Sequence, residues 1–160
     1  MFDFLVIGGG IAGISAAARL SSLGKCLVLE REPHLAYHSS GRSAALYEVN
    51  YGSPSTIALA KAGRKDFDCL LTGVLSPRGF MLLCLRGEET QYESDLVQMH
   101  LTEISLREAV GMVPILNQKD VLRAAVSKTA QDIDTDMMIQ IFARLLRDNG
   151  SQIETNHEVK

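Results

Sequence analysis

Apolar positions come in two kinds of run along the chain. Phe4, Leu5, Val6 and Ile7 are continuous rather than alternating, and so are Cys26, Leu27, Val28 and Leu29. Continuous runs of this length predict short strands buried on both faces, as in a parallel sheet. Between them Ile11 to Leu23 is rich in alanine and leucine and free of proline, which predicts a helix closing at Gly24 as a left-handed cap. Helical spacing returns from about Thr56 to Leu71. There Ile57, Leu59, Ala60, Phe67, Leu70 and Leu71 form a stripe opposite Lys61, Arg64, Lys65 and Asp68, with Ser53 or Ser55 as cap. This reads as a packing helix.

Phe80 to Leu85 predicts a strand bounded by Gly87, and Glu88 to Met99 a polar, solvated helix. A second short helix is expected over Thr102 to Gly111, with Thr102 and Ser105 as possible caps and Pro114 beyond its end. Val121 to Val126 suits a strand. Met137, Met138, Ile141, Phe142, Leu145 and Leu146 form a stripe capped by Thr135 or Asp134 and stopped at Asn149-Gly150, and Gln152 to Val159 alternates as a strand. A right-handed crossover would place this last strand beside the second one, as a third parallel strand. The expected fold is α/β: a Rossmann-like βαβ unit with a parallel sheet, interrupted by an α+β insertion. The expected division is 1–74, an insertion over 75–131, and a return over 132–160.

Composition narrows the partners. Of 160 residues 46% are hydrophobic and 22% charged, an ordinary globular balance, and the net charge of −3 with scattered basic residues argues against nucleic acid. Three cysteines without C-x-x-C spacing read as reduced thiols of a cytoplasmic protein. Phe4 to Ala18 carries no charge, yet it follows Asp3, holds four glycines, and falls short of the ~20 residues of a membrane span. It reads as the buried strand and helix rather than as a targeting or transmembrane segment.

Gly8, Gly10 and Gly13 stand at the spacing G-x-G-x-x-G, directly after a strand and at the start of a helix. In a dinucleotide site the first glycine makes the turn, the second admits the pyrophosphate, and the third lets the helix lie on the sheet. Glu30 ends the second strand, where a carboxylate can accept from a ribose diol and would repel a 2′-phosphate. NADP is therefore disfavoured, with Arg31 as the one counter-indication, and NAD and FAD remain. The polar loop that follows gathers Ser39, Ser40, Gly41, Arg42 and Ser43, hydroxyls and a fixed guanidinium fork suited to a charged or planar ligand. It also reads as a simple helix-capping cluster. His34, His100 and His157 have no companions at metal-ligand spacing and read as surface or packing residues, so no metal site is expected.

Beyond the glycines, Val28 to Glu32 (VLERE), Tyr37 to Ala45 (YHSSGRSAA), Tyr51-Gly52, Leu75 to Arg78 (LSPR) and Ile133 to Asp136 followed by Asn156-His157-Glu158 resemble the FAD-dependent D-amino-acid oxidase superfamily. The D-arginine dehydrogenase branch is the nearest match. The resemblance spans the whole chain, but members run to roughly twice this length, so it implies an N-terminal fragment, with the 75–131 insertion belonging to the substrate domain.

The resemblance implies FAD held by Gly8, Gly10, Ala12 and Gly13 at the pyrophosphate and by Glu30 and Arg31 at the adenosine end. Ser39, Ser40, Gly41, Arg42, Ser43, Ala44, Ala45 and Leu46 would meet pyrophosphate and flavin, and the Val159 backbone the adenine. Tyr51 and Phe80 would face substrate. Leu46 replaces a histidine of the D-arginine pattern and Phe80 an acid, which favours a more apolar amino acid. His38 matches, in context, a flavin-linked histidine of the dimethylglycine dehydrogenases, and reads here as a noncovalent loop residue.

The implied activity is oxidative deamination of a D-amino acid, with hydride passing from the α-carbon to flavin N5. Electrons would pass on to a quinone, a dye or oxygen. The catalytic residues would lie beyond Lys160, and this piece alone is expected to bind FAD weakly and turn nothing over. A 2-hydroxy-acid dehydrogenase of the 2-hydroxyglutarate type and a noncatalytic FAD-binding fragment are the alternatives.

Overall fold

The two apolar runs at the start of the chain lie side by side in a computed structural model that describes residues 1–160. In chain order the elements are β1 (Phe4–Ile7), α1 (Ile11–Leu20), β2 (Cys26–Leu29), a 3₁₀ turn (Ser39–Arg42), β3 (Leu46–Tyr47), α2 (Pro54–Cys69), β4 (Leu75–Pro77) and β5 (Phe80–Leu85). They continue as α3 (Glu89–Gln98), β6 (Thr102–Ile104), α4 (Leu106–Met112), β7 (Val121–Ser127), β8 (Gln131–Ile133), α5 (Thr135–Asp148) and β9 (Gln152–Glu154). No helix is long and apolar enough to cross a membrane.

Two compact units form. The first holds residues 1–45, 67–74 and 133–160. Its sheet is parallel, in the order β1-β2-β9, with Phe4 opposite Cys26 and Leu29 opposite Glu154. The last strand therefore lies beside the second, where a right-handed crossover puts it. Ile14, Ala17 and Ala18 of α1, Cys26 and Val28 of β2, and Ile139, Phe142, Ala143 and Leu146 of α5 make one buried cluster. The alanines give the two helices a close approach, and burial pushes the Cys26 thiol above its ordinary range, as expected of an inert packing residue. Asp134 caps α5 by accepting from the Met137 N–H at 2.8 Å.

The second unit holds residues 46–66 and 75–132. It contains the antiparallel sheet β5-β7-β6 and a set of very short strands ordered β3-β8-β4. Cys84, Tyr92 and Ala125 form its small core, with Leu82, Leu96 and Leu101 against them.

Several expectations change. Residues 46–66, which the sequence pattern groups with the first unit, pack in the second. Helix α1 stops at Leu20, and Gly24 is not left-handed; its missing side chain makes room for Asp3, whose Oδ2 would lie 2.8 Å from a Cβ there and accepts from the Lys25 N–H. Thr102 is not a cap but the first residue of β6, opposite Val126, and Ser105 alone caps α4 in a reciprocal bond pattern with Glu108. No residue within α2 is fully buried, and its stripe packs only at its far end, where Phe67 and, just beyond the helix, Leu70 and Leu71 join the first unit's cluster. Cys69 is exposed, unlike the other two cysteines.

Leu146 is fully buried at the centre of the first unit. Leu146→Ala is expected to lower that unit's unfolding free energy by about 2–5 kcal/mol in urea titration, the cost of lost burial plus a cavity.

Candidate functional site

Strand β1 ends in a turn that only glycine takes without strain: Gly8 has φ +101° and donates its N–H to the Leu29 carbonyl at 2.8 Å. The turn is thereby tied to the last residue of β2. One helical turn on, a Cβ at Gly13 would overlap the Gly8 carbonyl oxygen. Gly10 is the N-cap of α1 and has no side chain to satisfy the first-turn donors. The Ile11 N–H is taken by Ser40 Oγ at 3.0 Å, which brings the serine of the 3₁₀ turn onto the helix N-terminus. Ala12 and Gly13 complete the first turn, at the positive end of the helix dipole.

Glu30 is buried, at 8% exposure, just beyond β2. Its Oε2 accepts from the Gly9 N–H at 2.6 Å and its Oε1 from the Glu32 N–H at 2.9 Å. The acid is thus folded back against the glycine loop, held by two backbone donors. Around it the chain is knitted by main-chain bonds: the Glu30 N–H donates to the Glu154 carbonyl, and the His157 N–H to the Glu30 carbonyl.

A cleft of about 220 Å³ opens at the carboxyl ends of β1 and β2 and brings together Gly8, Glu30, Arg31 and Val159, with His157 and Glu158 beside them. Open α/β sheets bind ligands at that end of their strands. His157, read from sequence as a surface or packing residue, lines this cleft; its position after an edge strand carries no pattern that would have marked it.

The loop after β2 makes its own network. His38 Nε2 lies 2.8 Å from Glu32 Oε1, and the Arg31 guanidinium contacts both. The Arg42 guanidinium sits 5.6 Å from the Tyr37 ring centre. Ser39, Ser40, Gly41 and Arg42 form the 3₁₀ turn, whose Gly41 N–H donates to the Ala36 carbonyl. Ser43 Oγ accepts from the Ala45 N–H at 3.0 Å across Ala44, and Ala45 has φ +45°, an uncommon backbone state for a residue with a Cβ. Leu46 follows at the start of β3, opposite Asp132.

In the second unit Phe80 lines a cleft of about 410 Å³ with Met81, Met112 and Ser127. Tyr51 is not among its lining residues, and it is 61% exposed. No sequence pattern marks Glu48, a buried acid bonded to Ser127. Its signal was weak: one carboxylate between two aliphatic or aromatic neighbours. No group of three or more histidine, cysteine or acidic side chains is placed to hold a metal ion.

Residues 3–160 match the family model described as FAD dependent oxidoreductase. Among solved structures, L-α-glycerophosphate oxidase from Mycoplasma pneumoniae superposes with a TM-score of 0.84 at 20% identity, over 99% of this chain and 46% of that one. Glycine oxidase from Geobacillus kaustophilus gives 0.81 at 18% identity, over 99% and 47%. L-proline dehydrogenase from P. horikoshii gives 0.77 at 21% identity, over 98% and 44%. Identities this low establish a shared fold, and the chain spans about half the length of these structures.

The hydrogen bond from His38 holds the Glu32 carboxyl below its ordinary range, with desolvation opposing and the charges of His38 and Arg31 helping. A carboxyl depressed in the folded state stabilises fully above its ordinary range and loses that contribution as pH falls through the lowered value. Carbon-detected NMR titration should find the Glu32 midpoint below that of an exposed glutamate. His38→Ala should move it upward; an unmoved midpoint would refute the assignment of cause.

Proposed function

The chain belongs to the family of FAD dependent oxidoreductases, and from that premise we propose that it supplies the FAD-gripping part and some of the substrate wall of an enzyme that oxidatively deaminates D-amino acids. Its cofactor is FAD. When bound, FAD supplies the acceptor for the two electrons of the oxidation. The observation that carries the reading is the cleft that gathers Gly8, Glu30, Arg31 and Val159 at the carboxyl ends of parallel strands.

The residues suit the group. A Cβ at Gly10 would stand 3.3 Å from Ser40 Oγ; without one, the backbone of Gly8, Gly10, Ala12 and Gly13 can come close to a diphosphate at the N-terminus of α1. Ser40, bonded there already, would share that anion with Ser39, Gly41, Arg42 and Ser43. Glu30 would accept from ribose hydroxyls, Arg31 and the Val159 backbone would meet the adenine end, and Ala44, Ala45 and Leu46 would border the flavin ring. Tyr51 and Phe80 would face the substrate. We place the unit of residues 1–45, 67–74 and 133–160 as FAD-binding and the other as part of the substrate domain.

Amino-acid chemistry is supported by the fold it shares with a glycine oxidase and an L-proline dehydrogenase. The D configuration and the D-arginine dehydrogenase branch rest on Tyr37 to Ala45 and on Tyr51. Reduced cysteines agree with a cytoplasmic setting. Residues 1–160, about half the length of the structures they match, are expected to bind FAD weakly and to turn over no amino acid on their own.

The test is dye reduction by the whole protein against panels of D-amino acids, L-amino acids and 2-hydroxy acids. D-amino acids are expected to reduce the dye, and turnover of 2-hydroxyglutarate alone would overturn the proposal. Glu30→Gln, which keeps the shape but weakens a charge-assisted acceptor, should lower FAD affinity by roughly tenfold or more in flavin-fluorescence titration.

A further inference from the structure

Glu48 opens the turn that carries Tyr51. The Tyr51 N–H donates to the Glu48 carbonyl at 3.2 Å, and the Asn50 N–H donates to Glu48 Oε1, also at 3.2 Å. Accepting from the N–H two residues on is ordinarily done by aspartate or asparagine at the first position of a turn. Glutamate is one methylene longer. Its second oxygen therefore reaches out of the turn, and Oε2 accepts from the hydroxyl of Ser127, 79 residues away, at 2.7 Å.

The arrangement costs stability. Glu48 is 8% exposed and both its donors are neutral, so the carboxylate is buried without a countercharge. Asparagine would hold the same turn without burying a charge. What glutamate adds is a link between two places. Ser127 ends β7 and stands directly opposite Phe80, the first residue of β5. One carboxylate thus joins the turn before Tyr51 to the strand pair that holds Phe80. On the other side Gln98, the last residue of α3, donates to the Gly52 carbonyl at 2.8 Å. The main chain is held before and after Tyr51, while Tyr51 itself is 61% exposed. A fixed backbone that presents an open aromatic side chain is preorganised for contact with a ligand.

We infer that Glu48 is a positioning residue: by bonding the Asn50 N–H and the Ser127 hydroxyl at once, it sets where Tyr51 stands relative to Phe80 and so tightens substrate binding through Tyr51. That role rests on the proposed reading in which Tyr51 and Phe80 face the substrate. Glu48 acts by its reach and not by its charge. Ser127 Oγ lies 3.1 Å from Thr129 Oγ1, so glutamine can replace the acid. Its amide oxygen accepts from Asn50 and its amide N–H donates to Ser127, whose own proton turns to Thr129. Aspartate keeps the charge and the turn bond but falls one methylene short of Ser127.

These variants separate the link from the charge. In the whole protein Glu48→Asp and Ser127→Ala are each expected to raise KM about fivefold with kcat within about twofold, and Glu48→Gln to leave both within about twofold. In a Tyr51→Ala background neither Glu48→Asp nor Ser127→Ala adds more than about twofold, because the residue they act through is gone. Amide relaxation of ¹⁵N-labelled protein needs neither cofactor nor turnover. The Tyr51 N–H order parameter is expected to fall from about 0.85 to below about 0.6 in Glu48→Asp and in Ser127→Ala, and to hold in Glu48→Gln. Ser127→Ala lies outside the turn and carries the test if Glu48→Asp does not fold.

A KM rise in Glu48→Gln as large as in Glu48→Asp would overturn the inference, since charge would then be what counts. So would a full fivefold rise in the Tyr51→Ala background, or a Tyr51 amide equally ordered with and without the Ser127 bond. Either result alongside oxidation of D-amino acids leaves the proposed reaction standing. The expected coupling, measured with a 2-hydroxy acid as the one substrate turned over, would support the role of Glu48 and remove the proposed reaction.

Discussion

The absence of a side chain at Gly13 is the constraint on which the first unit depends. A methyl group there would occupy the space of the Gly8 carbonyl oxygen, so α1 would have to lift away from the turn that launches it. Lifting it would pull Ile14, Ala17 and Ala18 out of the cluster they share with β2 and α5. It would also move the helix N-terminus relative to the strand ends, where the cleft lies. One backbone contact therefore sets both the closeness of the core and the height of the glycine loop, and neither can be adjusted alone.

The electrostatics of the loop follow from that geometry. A helix N-terminus favours an anion and a neighbouring carboxylate opposes one, so their separation decides what can bind. Glu30 spends its two oxygens on the N–H groups of Gly9 and Glu32, outside the helix. Only the Ile11 N–H is engaged by a side chain, and its partner Ser40 is neutral. The helix end thus remains positive while the acid a few residues away is stabilised by its own pair of donors. A phosphate on the helix and hydroxyls at the acid are compatible, whereas a phosphate on the hydroxyls would meet Glu30.

The first unit was legible in the sequence because its signals are local. Continuous apolar runs, three spaced glycines and a strong stripe in α5 each act within one element, and the parallel order β1-β2-β9 then follows from handedness. The second unit was less so. Thr102 to Ile104 carries no strand pattern and becomes one only because β7 offers an edge, opposite Val126 to Ala124. Leu46-Tyr47 and Gln131 to Ile133 are too short for any period to show. Helix α2 has the stripe of a packing helix, yet only its end, from Phe67 on to Leu70 and Leu71, reaches a core cluster. Of the candidate residues, the glycines and Glu30 are marked by spacing, whereas Glu48 and His157 are placed by contacts with residues far along the chain.

Sorting the carboxylates by what answers them isolates two. Glu103 sits below its ordinary range because Arg123 bonds to it, and Glu32 because His38 does. Glu108 is lowered by the Ser105 hydroxyl and backbone, and Asp134 accepts from Met137 N–H, both as helix caps. Each of these acids is answered by a cation or completes a helix end. Glu30 and Glu48 are the only buried acids, and neutral groups alone bond to them. Burying a carboxylate on such terms weakens a fold unless something outside the chain completes its coordination. At Glu30 the donors are fixed backbone N–H groups, which hold the acid still and suit a neutral hydroxyl ligand. At Glu48 one donor is a serine hydroxyl that has a second acceptor, Thr129 Oγ1, at 3.1 Å, so this acid is held less rigidly than Glu30.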